Sequence, residues 1–351
     1  MVEITINYSE EKMNVLITAY IANNLGDDLF IYWLCTKYNK HNFYIINDKK
    51  YNIFSICNLK YIDKNYNISK DFFDYQIFIG GSIFMQSNNK SIFKQFKNDK
   101  RKKINDIPNF IIGANFGPFK NYLFPVLYKK WFKTFKKIIF RDFYSYNLFK
   151  LKNMDWAPDI VFNLNFPKIG HDKILAISVI KYDNRTGLGH YNEMLYYNKI
   201  RELIIFYMNL NFKINLFCFC KEQKDDLAAN EILEVFSNET KNKIKITVYD
   251  GNIQLFMNDF LKSSFVIGSR FHSIILALNS NIPVFPICYN SKHINALKTY
   301  NFLGNFSNIQ NFHKKDICYI DYNRTIFNSI NIKKIKTLAK KYEELLNDYL
   351  K

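Results

Sequence analysis

No run of about 18 apolar residues occurs anywhere in the 351-residue chain, so a membrane-crossing helix is not expected. The N-terminus, MVEITINYSEEKMN, is acidic and has no apolar signal core, which predicts a cytoplasmic protein. Cysteine is scarce: the six present show no paired spacing and suit reduced core thiols better than a disulfide framework. Cys218 and Cys220 in NLFCFCKE would share one strand face, but no second Cys or His pair completes a zinc set, so no metal is expected. Three motifs are also missing: the G-x-x-x-x-G-K-[ST] phosphate loop, a G-x-G-x-x-G after the first strand, and a Gly-x-Ser-x-Gly elbow. Their absence argues against nucleoside triphosphate hydrolysis, hydride transfer and serine esterase chemistry.

Negative charge is short as well, with 31 Asp and Glu against 49 Lys and Arg and a net charge of +18. Such a balance invites a nucleic-acid reading, because clustered cations neutralise phosphates. Two features oppose it. Lys, Asn, Ile, Phe and Tyr are abundant together, as A/T-rich codons would make them. Apart from short runs such as NDKRKKIN (98–105), the basic residues read as dispersed. No nucleic-acid partner is therefore expected. An anionic substrate, or a peripheral contact with anionic lipid, uses the charge better.

What the chain does have is core material, 48% hydrophobic and 18% aromatic, spread over a length that exceeds one ordinary core. Strands are predicted at 13–20, 43–47, 75–80, 109–114 and 137–142, and again at 173–180, 213–219, 243–250, 264–269 and 282–289. Helices intervene at 191–208, 226–237 and 252–262. This is the alternation of βαβ units and parallel sheets. Residues 153–173 read as the connection between two domains, 1–165 and 170–328. The tail, 329–351, repeats Ile332, Ile335, Leu338, Tyr342, Leu345 and Tyr349 at helical spacing, which predicts one helix packing back across both domains.

In open α/β sheets ligands sit beyond the carboxyl ends of the strands, and polar or glycine-bearing stretches recur there. ANNLGDDLF (22–30) places Asp27 and Asp28 where either would cap a helix or meet a substrate hydroxyl. IGGSIFMQ (79–86) supplies Gly80, Gly81 and Ser82, and IIGANFGPF (111–119) a second glycine turn. IIFRDFYSYNLF (138–149) delivers Arg141 at a strand end. VIGSRFHSIILAL (266–278) places Arg270 and His272 between a strand and a buried helix. If the strand runs on to residue 272, both side chains project to one side, and Ser269 or Ser273 caps the helix. CYNSKHINALK (288–298) brings Lys292 to the same rim.

In this order the stretches NNLGDDLF, FIGGSIFMQ, GANFGPF, FRDFYSYNLF, APDIVF and GSRFHSIILALNSNIPVFPICY, with Tyr289 and Lys292 after them, resemble the polysaccharide pyruvyl transferase family. The resemblance runs from about residue 14 to residue 304, with Ala22 and Asn23 standing where the family more often has Gly before Asn. It implies two Rossmann-like domains facing a cleft, similar to the GT-B glycosyltransferases. It also implies transfer of pyruvate from phosphoenolpyruvate to a sugar, commonly as a cyclic ketal, for a polysaccharide or its precursor. No cofactor beyond phosphoenolpyruvate as co-substrate is implied. Arg141, Arg270, Lys292 and Ser269 would hold that donor, assigned to the C-terminal side. Asn24, Gly80, Gly81, Ser82, Asn115 and Phe116 would line the cleft or meet the acceptor, assigned to the N-terminal side. His272 would move the proton, with Asp27 beside it, since histidine's ordinary titration range suits that work near neutrality. Two other readings stand beside this one: a sugar-nucleotide glycosyltransferase of similar architecture, and a non-enzymatic binder of an anionic partner.

Overall fold

The computed structural model describes residues 12–46, 53, 56–63, 69–87, 91–167, 172–181 and 190–350. The acidic N-terminal stretch as far as residue 11, and Asn47 at the end of a predicted strand, lie outside them. Two wholly parallel sheets organise the rest. The first contains β1 (Asn14–Thr18), β2 (Asn42–Ile46), β3 (Leu59–Ile62), β4 (Tyr75–Ile79), β5 (Asn109–Ala114), β6 (Lys137–Phe140) and β7 (Met154–Trp156), in the order β3-β2-β1-β4-β5-β6-β7. The second contains β8 (Ile174–Ser178), β9 (Lys213–Cys218), β10 (Ile244–Val248), β11 (Phe265–Gly268), β12 (Val284–Cys288) and β13 (Ser307–Asn308), in the order β10-β9-β8-β11-β12-β13.

Each of the ten predicted strands is present. Their unbroken apolar runs are what a parallel sheet covered on both faces requires, and NFIIGA of β5 is buried along its whole length. The three unpredicted strands, β3, β7 and β13, are all edges. Edge strands are short and partly exposed, so LKYI, MDW and SN carry no continuous apolar signal.

Helices α1 (Leu25–Lys37), α2 (Ile92–Arg101), α3 (Leu123–Phe132) and α4 (Phe143–Phe149) cover the first sheet. Then follow α5 (His190–Asn209), α6 (Asp225–Leu233), α7 (Asn238–Lys241), α8 (Ile253–Phe260), α9 (Phe271–Asn279), α10 (Ser291–Thr299), α11 (Ile309–Phe312) and α12 (Ile317–Asp321). Among the described residues no helix is long and apolar enough to cross a membrane. One apolar core runs continuously from the first half into the second, joining Leu25, Leu29 and Ile160 to Phe219, Phe256 and Ile274. The backbone crosses too, with Leu25 N–H donating to the Phe219 carbonyl at 3.1 Å.

Two expectations need correction. Residues 153–173 are not merely a connection: they supply β7 and a 3₁₀ turn, Ile160–Asn163, whose Val161 and Leu164 carbonyls accept from Asn279 of α9. The tail is two helices, α13 (Ile332–Ala339) and α14 (Lys341–Asn347), meeting at Lys340. Its buried face is Ile335, Ala339, Tyr342, Leu346 and Leu350, shifted from the predicted stripe. The break lets α14 seat on the first domain, where the Tyr342 hydroxyl donates to the Ala157 carbonyl (3.4 Å) and Tyr349 packs on Phe110 (centroids 4.8 Å apart).

Cysteine follows expectation in part. Cys218 and Cys220 are free and buried, their thiols pushed up by burial, Cys220 to about 11. Cys57 and Cys318 are exposed, so they are not core thiols.

Candidate active site

Each sheet changes winding direction once, between β1 and β4 in the first and between β8 and β11 in the second. Crevices at such switch points are where open α/β sheets hold ligands. The chain leaving β1 carries Asn24 and then Gly26 and Asp27 in the first turn of α1, and the loop leaving β4 carries Gly80, Gly81 and Ser82; the chain leaving β11 carries Ser269, Arg270 and His272. The two switch points meet, because Gly26 and His272 touch.

Arg141 follows β6 directly and is 5% exposed. Its Nη1 donates to Asp159 Oδ2 at 3.1 Å and its Nη2 to Asn115 Oδ1 at 2.7 Å. The guanidinium also lies 4.6 Å from the centre of the Phe271 ring, a cation–π contact across the two domains. Gly81 makes room for it, since a Cβ there would stand 2.6 Å from both terminal nitrogens. Ser82 donates to the same Asn115 oxygen at 3.3 Å.

His272 is the second residue of α9, so the condition that the strand runs on to residue 272 is not met. The strand stops at Gly268 and Arg270 is the helix N-cap, without a side-chain cap. The imidazole, 9% exposed as a residue, has Nε2 at 3.6 Å from Asp159 Oδ2, an electrostatic contact longer than a hydrogen bond. The other edge of the ring lies on Gly26: a Cβ there would be 1.7 Å from Nδ1. Asp159 is thus shared by Arg141 and His272. Burial by itself would push its carboxyl up; His272 and Arg141 outweigh that and hold it below the ordinary carboxylate range.

Lys292, in the first turn of α10, is half-buried. It lies 5.6 Å from the Phe271 ring centre and 6.0 Å from that of Tyr289, with no hydrogen-bond or ion-pair partner among the described residues. Burial, with Arg141 and Arg270 adding to it and Tyr289 and Asp27 opposing it, lowers its ammonium below the ordinary lysine value. Such a cation is costly without an anion. His293, behind Phe271, is held far below the ordinary histidine value by burial and by Lys292, which keeps it neutral.

Other predicted residues are placed differently. Arg270 is already engaged: Nε donates to Asp225 Oδ2 at 2.9 Å, Nη2 pairs with Asp225 Oδ1, and Nη1 reaches Gln223. Ser269 is fully buried and its hydroxyl is bonded to Tyr196 at 2.8 Å, so it neither caps α9 nor faces the cleft. Ser273 likewise bonds the Arg270 carbonyl and Ser178. Phe116 does not line the cleft but packs on Phe124 and Phe149 in the aromatic core (5.2 and 4.8 Å). Asn24 caps α1 by accepting from Gly26 N–H (3.2 Å) and donates to Asp27 (2.9 Å). Asp27 in turn accepts from Gly81 N–H at 3.3 Å, which ties the β1 and β4 loops together.

Asp28 joins the domains instead. It is 1% exposed, accepts from the Tyr249 hydroxyl at 2.7 Å, and leaves Oδ1 without a partner among the described residues. Burial raises its carboxyl to about 8, against the Tyr249 hydrogen bond and helped by Asp27. The folded chain therefore holds a proton that the unfolded chain, titrating near 3.8, gives up. The stabilisation is complete below that value and is lost as pH rises to about 8. Asp28→Asn is expected to gain thermal stability over the parent progressively across that interval and to hold the gain above it. Melting curves in a pH series check this, and an identical pH dependence of the two proteins would refute it.

Two cavities flank these contacts. One of ≈ 480 Å³ lies between the domains at Asn23, Glu222 and Tyr249; one of ≈ 170 Å³ lies in the first domain at Tyr20, Ser82, Phe84 and Trp131. Neither is lined by Arg141, His272 or Lys292.

Sequence reasoning missed Asp159, Phe271, Asp225 and the contact role of Gly26. Asp159 lay in view within APDIVF, but only its position between Arg141 and His272 distinguishes it from other aspartates.

Two parallel α/β domains whose switch points meet over a shared carboxylate make a GT-B-like architecture. Solved structures agree on the fold. The chain is similar to Anabaena Alr3699/HepE in complex with UDP and glucose (TM-score 0.55, 9% identity, 96% of this chain and 100% of that one). It is also similar to Neisseria meningitidis UDP-GlcNAc 2-epimerase bound to UDP-GlcNAc (0.55, 12%, 95% and 99%) and a Rickettsia africae glycosyltransferase (0.53, 14%, 97% and 99%). No curated protein matches it significantly. The sequence profile of the polysaccharide pyruvyl transferases matches residues 20–291, and the chain belongs to that family.

Proposed function

We propose that the protein transfers pyruvate from phosphoenolpyruvate to a sugar of a polysaccharide or its precursor, forming a ketal and releasing phosphate. The observation that carries this reading is Lys292, a half-buried ammonium with no hydrogen bond or ion pair among the described residues, on the same Phe271 ring as the Arg141 guanidinium. Phosphoenolpyruvate offers a carboxylate and a phosphate on three carbons, and two fixed cations in a low-dielectric cleft match it. Arg270 commits its guanidinium to Asp225 and Gln223, whereas Arg141, also ion-paired, shares its carboxylate Asp159 with His272.

In the reaction the methylene carbon takes a proton, the central carbon forms bonds to two sugar oxygens, and its bond to the phosphate oxygen breaks. The hydroxyl protons leave, one of them in effect replacing the proton delivered to carbon and the other leaving with phosphate. In this reading His272 delivers and recovers the proton, with the Asp159 carboxylate 3.6 Å from its Nε2. Arg141 and Lys292 offset the charge that gathers on the departing phosphate. Phosphoenolpyruvate is the only co-substrate the reading requires.

Incubation with phosphoenolpyruvate and a panel of acceptor sugars, followed by mass spectrometry, is expected to show a gain of one pyruvate less one water, with phosphate released. Lys292→Met should raise the KM for phosphoenolpyruvate about 10- to 100-fold, the loss of one charge-assisted bond. Thermal stabilisation by a nucleoside diphosphate and none by phosphoenolpyruvate would instead identify a nucleotide-sugar glycosyltransferase.

A further inference from the structure

The positive charge is not dispersed. Residues 91–137 hold twelve Lys or Arg against two Asp, more than half of the net +18. One of those two, Asp99, is already taken by Lys102 (2.9 Å) and by the Tyr128 hydroxyl. The stretch contains α2 and α3, which follow the neighbouring strands β4 and β5. Crossovers of one hand place both helices on the same face of the sheet. Phe96 of α2 packs on Tyr128 and Trp131 of α3 (5.2 and 6.2 Å), which fixes their inner sides.

The outer sides combine two residue types. Along α3, Tyr122, Val126, Lys129 and Lys133 recur at helical spacing and are all exposed, Tyr122 at 78% and Val126 at 61%. Leu123 and Lys130 run beside them. On α2, Phe93 is 60% exposed and is followed on the same side by Lys97 and Lys100. Scattered single exposed apolar side chains are ordinary; four on two adjacent helices, each interleaved with lysines, are not.

We infer that the outer face of α2 and α3 docks on an anionic lipid bilayer. Aromatic and aliphatic side chains on a basic helix face enter the headgroup boundary while the ammonium groups meet lipid phosphates, and apolar contact and charge attraction add. A nucleic acid would use the lysines but leave Val126, Leu123 and Phe93 without a role. The inference stands apart from the donor assignment, since it uses no residue of the cleft.

Co-sedimentation of the full chain with vesicles tests it. Binding is expected to phosphatidylcholine vesicles containing about one-third phosphatidylglycerol, falling as salt is raised, and not to pure phosphatidylcholine. The double variant Lys129→Glu and Lys133→Glu should bind about 30-fold more weakly or worse, as two lost lysine contacts imply. Tyr122→Ser with Val126→Ser, which keeps every charge, should weaken binding several-fold as well. Lys333→Glu with Lys334→Glu, on the exposed side of α13, should leave it unchanged. All six positions are exposed, and circular dichroism confirms that the variants fold. Equal loss in the Lys333 and Lys334 variant would reduce the effect to net charge and overturn the inference. Equal binding to neutral vesicles would also overturn it. So would tighter binding to a duplex oligonucleotide that Lys129→Glu with Lys133→Glu abolishes and Tyr122→Ser with Val126→Ser spares.

Discussion

Gly26→Ala is expected to silence transfer nearly as thoroughly as His272→Ala, although position 26 carries no functional group. A Cβ at 26 would stand 1.7 Å from Nδ1 of His272 and 2.3 Å from Cε1, so the ring has to move. Misplacing a reacting group by about 1 Å costs on the order of 100-fold in rate. Removing a proton carrier outright costs about 100- to 10,000-fold. If the proposed donor site at Arg141 and Lys292 holds, phosphoenolpyruvate binding should survive in both variants, so the loss should appear in kcat rather than in KM. The double variant separates this contact from a general helix effect. With the ring gone, alanine in the first turn of α1 should stabilise by up to about 1 kcal/mol, because glycine is the poorer helix former. Gly26→Ala is therefore expected to harm the parent and help the His272→Ala protein. A destabilisation of equal size in both backgrounds would show that the imidazole is not what the added methyl group meets.

Asp159→Ala carries the largest expected stability loss. The carboxylate is fully buried and serves Arg141, itself 5% exposed, together with His272. Removing one partner of a buried pair leaves the other charge unpaired, at a cost of roughly 3–5 kcal/mol. Denaturant unfolding at neutral pH should show that loss, and less in Asp159→Asn, which keeps an acceptor for Arg141. A loss below about 1 kcal/mol in Asp159→Ala would mean that water reaches the pair and screens it. The pH dependence has a definite sign. Because the folded carboxyl titrates below its unfolded value, its contribution is complete above about pH 4 and is lost as pH falls through the folded value. The acid limb of the stability curve should therefore flatten in Asp159→Asn. Transfer should fall in both variants, since the carboxylate that both Arg141 and His272 face is gone.

Much of the fold was legible because its signals are local. A strand covered on both faces needs an apolar run, and FYIIN, NFIIGA and KILAISVI supply it without reference to anything distant. Three of the four edge strands, β3, β7 and β13, escaped detection because they are short and partly exposed, and α13 and α14 read as one helix because nothing in their residue spacing marks the bend at Lys340. At the site, the positions of Arg141, His272 and Lys292 were read from strand ends and turn residues. Their partners were not. Arg270 was expected to face an anion arriving from solvent, yet it closes on Asp225, 45 residues earlier in the chain.

The amino-acid order by itself determined two parallel sheets and the residue types at their carboxyl ends, since periodicity and turn chemistry act over a few residues. Which carboxylate meets which cation was decided only when the sheets came together. Many aspartates are chemically able to pair with an arginine, and burial selects the one within about 3 Å. That selection neutralised Arg270 with Asp225, set Asp159 between Arg141 and His272, and left Lys292, half-buried beside them, without a hydrogen-bond or ion-pair partner among the described residues.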